Sequence, residues 1–199
     1  MKKYELTTET LQFAGFTLHR IKALKDFGSV KAGELGGWIE SEENLSQADN
    51  AWVYNNAKVF DNAKVFDNAR VYGDAKIFCN AIVSGYAKVC NNANIFGYAD
   101  VCGFAEVYGN VRIYGNVSIE GDAKVHDNTD YIVFKNFWSS GIYFTWTRSN
   151  NKWSVGCFYG TGEELIKKAY ADSEKSGREY ERVVRYVESI LADEQKKSN

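Results

Sequence analysis

Residues 51–68 read Ala51-Trp52-Val53-Tyr54-Asn55-Asn56, Ala57-Lys58-Val59-Phe60-Asp61-Asn62, Ala63-Lys64-Val65-Phe66-Asp67-Asn68. The six-residue unit continues without a gap to Val125, giving thirteen successive units. Each has Val or Ile at its third position and a small apolar residue, Ala or Val, two places earlier. A short fixed period marks a solenoid, because each unit is too small to bury its own apolar side and must stack on its neighbours.

Within a unit, the small residue and the β-branched residue alternate with polar or aromatic ones. This is the period-two signature of a short strand with Ala and Val facing inward. The next two positions hold Gly, Asn or Asp, with Gly73, Gly85, Gly97, Gly103, Gly109, Gly115 and Gly121 among them. Such residues accept left-handed backbone angles, so the chain turns at every sixth step. Three sides then close a coil of eighteen residues. No proline interrupts the array, so each interior amide can pair with an adjacent coil. Four to five coils at roughly 4.8 Å per layer form a prism on the order of 20 Å long.

These units resemble the hexapeptide-repeat superfamily, and that resemblance implies a left-handed, triangular β-helix. It does not select a function, since acyltransferases, γ-class carbonic anhydrases and non-catalytic scaffolds share the coil. The segments Lys3-Tyr4-Glu5-Leu6-Thr7, Leu18-His19-Arg20-Ile21, Ala32-Gly33-Glu34-Leu35-Gly36-Gly37-Trp38-Ile39 and Glu40-Ser41-Glu42-Glu43-Asn44-Leu45-Ser46 resemble the N-terminal cap of uncharacterised repeat proteins of bacteria and their phages. The expected organisation is a cap and first irregular coil over 1–50, the solenoid over 51–130, and a β-hairpin with two helices over 131–199. In the cap, Thr17–Ile21 reads as a strand, and Trp38 and Trp52 are expected to cover the first layer.

Beyond Val125 the period fails, and residues 131–161 hold ten aromatics, three basic groups and no acidic one. Two β-rich runs, 142–147 and 152–159, flank Arg148-Ser149-Asn150-Asn151, a hairpin signal. Thr161 reads as an N-cap followed by acidic residues and a helix to about Ala171. A second helix is expected after Ser176-Gly177, with Tyr180, Val183, Val184, Val187, Ile190 and Leu191 along one apolar face.

With 24 basic and 26 acidic side chains the net charge is −2, which argues against strong binding to nucleic acid. The opening Met1-Lys2-Lys3-Tyr4-Glu5 precedes no apolar stretch, and no run is long enough to span a membrane. A cytoplasmic location is therefore expected, that of the host if the chain is phage-encoded. Cys79, Cys90, Cys102 and Cys157 have no paired spacing and read as reduced thiols.

Two histidines are too few for the three zinc ligands that a γ-class carbonic anhydrase would require, and no metal site is expected. His126, at the outward position of the last unit, is the candidate general base if the chain is an acyl-CoA-dependent acyltransferase. Departures from that class are the aromatic residues after the aliphatic position and the lack of a long loop walling a donor site. The main expectation, with the acyltransferase as its alternative, is a non-catalytic binding or assembly protein without cofactor. It would self-associate as a dimer or trimer and engage a bacterial protein, as an inhibitor or sponge of a host or defence factor. Its expected surface is the eighteen-residue ladder Phe60, Phe78, Phe96 and Tyr114, flanked by Lys58, Lys76 and Arg112. A stripe of stacked rings is more apolar surface than a lone prism leaves wet.

Overall fold

The structure, a computed structural model, describes residues 2–198. Chain contacts divide it into two units, one running up to Ile132 together with Thr147–Asn150, the other comprising Val133–Trp146 and the residues from Asn151 on.

The first unit begins with an antiparallel hairpin, β1 (Tyr4–Phe13) and β2 (Phe16–Ala23), followed by β3 (Leu35–Ile39). Thirteen two-residue strands follow, β4 (Trp52–Val53) to β16 (Lys124–Val125), one per repeat. They stack as three parallel sheets, the three sides of a β-solenoid. Partners such as Lys58↔Lys76 and Arg70↔Lys88 are eighteen residues apart. The first face carries Lys58–Val59 and its equivalents and continues backward through β3 and β2 to β1, making seven strands; the second carries Lys64–Val65, the third Arg70–Val71. All twenty-six inward Ala, Val and Ile side chains are buried, none more than 3% exposed. Each corner from Asn55 to Gly121 has a residue with φ between 54° and 81°, one in every six. Regular bending thus comes from residues that tolerate this region, with Cys79 (φ 58°) as the exception.

Between coils, hydrogen bonds outside the paired strands run from an N–H to a carbonyl seventeen residues on, as in Lys58 to Ala75 and Arg70 to Ala87. For these bonds the N-terminal end is left with carbonyls and the C-terminal end with N–H groups, while the Arg112 carbonyl at the latter end accepts from the Tyr131 hydroxyl at 2.9 Å. Donors close the first: the Lys3 ammonium donates to the Ala48 and Ala51 carbonyls at 3.0 and 2.9 Å, and the Tyr4 hydroxyl to that of Leu45 at 2.6 Å. Acceptors close the second. Asn128 Oδ1 takes the Arg112 amide, Asp130 Oδ2 the His126 amide and Ser149 Oγ the Lys124 amide, at 3.0, 2.8 and 2.7 Å.

The second unit is built on β17 (Tyr131–Lys135), β18 (Tyr143–Thr147), β19 (Lys152–Val155) and β20 (Phe158–Gly160), with α1 (Gly162–Asp172) and α2 (Glu174–Ser198). The expected strand 152–159 is broken at Gly156 (φ 58°), which reverses the chain and adds β20. Thr161 caps α1 as expected: its hydroxyl accepts the Glu164 amide while the Glu164 carboxylate accepts the Thr161 amide. The second helix starts earlier than expected and runs through Gly177, where a Cβ would lie 2.2 Å from the Tyr170 ring. Tyr180, Val184 and Val187 bury the apolar face within this unit, Tyr180 against Trp138 and Phe144 at 5.0 and 5.1 Å. All four cysteines are free. Among the described residues no helix is long and apolar enough to cross a membrane.

Two predictions follow from the corners and the cap. Cys79→Asn raises stability by about 0.5–1 kcal/mol by relieving a left-handed cysteine, whereas Gly97→Ala, whose Cβ would lie 2.7 Å from the Gly115 amide, lowers it by more than about 1 kcal/mol. Urea midpoints at constant slope read both. Burial lowers the Lys3 pKa to about 8 from 10.5, so across that window the folded chain binds fewer protons than the unfolded one and stability rises with pH. The neutral amine keeps two N–H donors for its two carbonyls. Above pH 10 the raised pKa of buried Tyr4 acts in the opposite sense, because there the unfolded chain ionises first. Denaturation series from pH 7.5 to 9.5 should show the rise in the native protein and its loss in Lys3→Met.

Candidate functional site: the aromatic surface of the solenoid

The spacing of the repeat places Phe60, Phe78, Phe96 and Tyr114 on successive coils of the first face, and their rings stack. Centroids are 5.2, 4.9 and 5.2 Å apart with planes within 12° of parallel. Lys58, Lys76, Asn94 and Arg112 form the neighbouring column in register. Lys58 lies over the Phe13 ring and Arg112 over Phe96, at 5.2 and 5.4 Å. Partial burial, then the adjacent Lys76 charge, lowers the Lys58 pKa.

The ladder is not uniformly open. The β1–β2 hairpin folds over its first rung, with Phe13 and Phe16 5.7 and 5.1 Å from Phe60, which is only 4% exposed. Leu18, Trp38 and Phe60 form a buried cluster with Leu11, Phe13, Phe16 and Phe78 packed on it. The hairpin is thus an occupant of the ladder beyond the second subunit or partner expected from sequence. At the far end Tyr114 is 58% exposed. Trp38 and Trp52 are both buried at the first coils, Trp52 beneath Tyr4 and Phe27.

Three further exposed rings occupy corners, where the repeat otherwise places Asn or Asp. Tyr86, Tyr98 and Phe104 each follow a glycine and are 55–66% exposed. Tyr86 stacks on Phe104 at 5.1 Å. Tyr98 and Phe104 stand at opposite ends of one rung of the second face, with Asp100 and Cys102 between them. Asp100 Oδ1 is buried without a hydrogen-bond partner. Burial and then Glu120 raise the Asp100 pKa, and burial, Asp100 and Glu120 push the Cys102 thiol up to about 12. Beside this rung a cavity of about 450 Å³ is lined by Asn44, Asp61, Lys64, Asn80, Ile82 and Tyr98. The signal for these rings was in the sequence, as the pairs Gly85-Tyr86, Gly97-Tyr98 and Gly103-Phe104, but counting only the position after the aliphatic residue passes over them.

His126 is exposed, with its ring 5.1 Å from Tyr108. The neighbouring Asp127 carboxylate is engaged by the amide and hydroxyl of Thr129 at 3.0 and 3.1 Å, and no hydrogen bond to the imidazole is found among the described residues. Nor do those residues include a group of three His, Cys, Asp or Glu able to hold a metal.

No family model matches the chain. Among curated proteins it is similar to the uncharacterized acetyltransferase YdcK of Escherichia coli (strain K12), 38% identical over 63 residues. The matched segment is 28% of this chain and 19% of that protein's length. That likeness and the β-solenoid together fit the hexapeptide-repeat superfamily.

The two ends of the ladder should respond differently to truncation. Phe13→Ala or Phe16→Ala, removing the cover of Phe60, costs about 1–3 kcal/mol. Tyr114→Ala or Tyr98→Ala stays within about 0.5 kcal/mol. Equal losses at both ends in chemical denaturation would mean that the exposed rings are also structural.

Proposed function

We propose that the chain is a rigid, non-catalytic binding protein whose working surface is the set of open rings at the corners of the second face, Tyr86, Tyr98 and Phe104, together with Tyr114 at the end of the first-face ladder. The carrying observation is the rung in which two exposed rings flank Asp100, a half-buried carboxylate whose Oδ1 lacks a donor. Exposed rings with a central unmet acceptor form the arrangement of an interaction hot spot, apolar anchors around one polar group that a partner completes. The fitting partner is a protein segment that lays apolar side chains on the rings and brings an N–H or ammonium to Asp100. The resemblance of the cap to bacterial and phage repeat proteins extends this reading to a phage-encoded inhibitor or sponge acting on a host or defence factor in the cytoplasm. Self-association through the same rings, as a dimer or trimer, is its homotypic form.

A second reading is favoured by one observation, the partial likeness to an acetyltransferase. In that case acetyl-CoA is the donor and His126 the base. The imidazole would work without a hydrogen-bonded carboxylate to orient it, which weakens it as a general base.

Light scattering of the native protein and of Tyr98→Ser/Phe104→Ser, together with pull-down from bacterial lysate, tests the first reading. A specific partner or a concentration-dependent oligomer should be lost in the double variant and weakened at least about tenfold by Asp100→Ala. A native monomer recovering nothing specific would overturn it. A thermal shift with acetyl-CoA that disappears in His126→Ala would support the second.

A further inference from the structure

On the third face, away from these rings, Arg70 and Lys88 stand in register on adjacent strands. Strands in a sheet lie roughly 4.8 Å apart, and like charges directly opposite each other are unfavourable. Lys88 is offset by Glu106, whose Oε1 is 2.7 Å from its ammonium. Exposed Arg70 has no ion pair or side-chain hydrogen bond among the described residues. On one side of the two cations stand Tyr54 and Tyr72, whose rings meet edge to face at 6.2 Å and 81°. From the cap loop, Ser29 Oγ reaches the Tyr54 hydroxyl at 3.3 Å. Together with Asn55 at its left-handed corner, these residues line a cavity of about 430 Å³, within the range of small-molecule sites.

We propose that this cavity is a binding site for a phosphate monoester carried on a planar ring, a ligand of nucleoside monophosphate size. A phosphate monoester brings a charge of about −1.5 to −2 at neutral pH, which matches the Arg70 and Lys88 pair and removes their mutual repulsion. The guanidinium fork takes two phosphate oxygens side by side, as an ammonium cannot. The phenol rings give the planar group an aromatic wall, and Ser29, Asn55 and the Tyr54 hydroxyl supply hydrogen bonds to ligand oxygens. Glu106 lies one rung beyond the lining residues, and its pairing with Lys88 leaves Arg70 as the principal anchor. The site is independent of the ring surface on the second face, and its failure leaves that reading untouched.

Isothermal titration calorimetry with adenosine 5′-monophosphate, ribose 5-phosphate, inorganic phosphate and adenosine tests it. Adenosine monophosphate should bind with a dissociation constant of about 10 μM to 1 mM, weakening as salt is raised. Ribose 5-phosphate and inorganic phosphate should bind at least about tenfold more weakly, and adenosine should give no heat. Arg70→Gln and Lys88→Gln, both away from the buried shaft, should each lower affinity at least about tenfold, with melting not lowered in Arg70→Gln, which removes a like-charge neighbour, and changed only slightly in Lys88→Gln, which loses an exposed ion pair. Arg70→Lys, which keeps the charge and loses the fork, should fall between the native protein and Arg70→Gln. Adenosine binding as well as its monophosphate, an unaffected Arg70→Gln, or no binding of any probe at about 5 mM would each overturn the site. Ribose 5-phosphate matching adenosine monophosphate would overturn the aromatic half of the proposal.

Discussion

The hydrogen bond from one coil to the next is the constraint on which the first unit depends. A side of the coil contributes one two-residue strand, far too short to hold itself, so each interior strand is stabilised by the strands eighteen residues before and after it. Because the coil-to-coil bonds outside the strand pairs run from N–H toward the later carbonyl, these bonds leave the two ends of the stack chemically different. This explains a lysine and a tyrosine buried at one end and Asn128, Asp130 and Ser149 at the other. The fully buried Lys3 would be an anomaly in an ordinary core. At an end rich in carbonyls it is the complementary donor.

Filling the shaft has a second consequence. Ala and Val fit the narrow interior, so every bulky ring in the repeat must stand outside it. Stacking at about 5 Å recovers part of the exposed area for rings on the first face. The hairpin covers the first rung, where growth by another coil would otherwise begin. Its β2 pairs with β3, and β3 with the first-face strand at Lys58, so the element that terminates the sheet also shields Phe60. Cap and ladder cover are one device.

What was legible in the sequence is what repeats or is local. The six-residue period located every strand from Trp52 to Val125, the Gly, Asn and Asp positions located the corners, and Thr161 announced the N-cap of α1. What escaped depends on contacts distant in sequence. Tyr4–Phe13 has no unit to compare with, so neither its length as a strand nor its position over Phe60 is written in a period. Gly177 reads as a helix boundary by propensity, yet the helix runs through it because Tyr170 needs the space that a side chain would fill. Gly156 sits in a β-rich run that composition alone reads as continuous. For the candidate site, the ladder was readable because its members share one position. Tyr86, Tyr98 and Phe104 were passed over because they depart from the repeat rather than obey it.

Departures from a repeat are also where function is best sought in such a fold. A residue that satisfies the period is accounted for by stacking, since any Val at an inward position or Gly at a corner serves the coil whatever the protein does. A ring at a corner does nothing for the shaft and leaves apolar surface in water. Likewise Asp100 stands in the register of Ile82 and Ser118, where neither neighbour requires a charge, and its burial disfavours ionisation. Arg70 beside Lys88 opposes the sheet it stands on. These groups cost the solenoid stability or solubility without helping it close, and the ligand and partner proposed above would relieve that cost. The imidazole of His126 is different, because an exposed ring beside Tyr108 imposes no such cost and requires no explanation beyond solvation. This difference in physical cost, set beside a likeness to an acetyltransferase over 63 residues, is the support for the proposed reading of the chain as a binding protein.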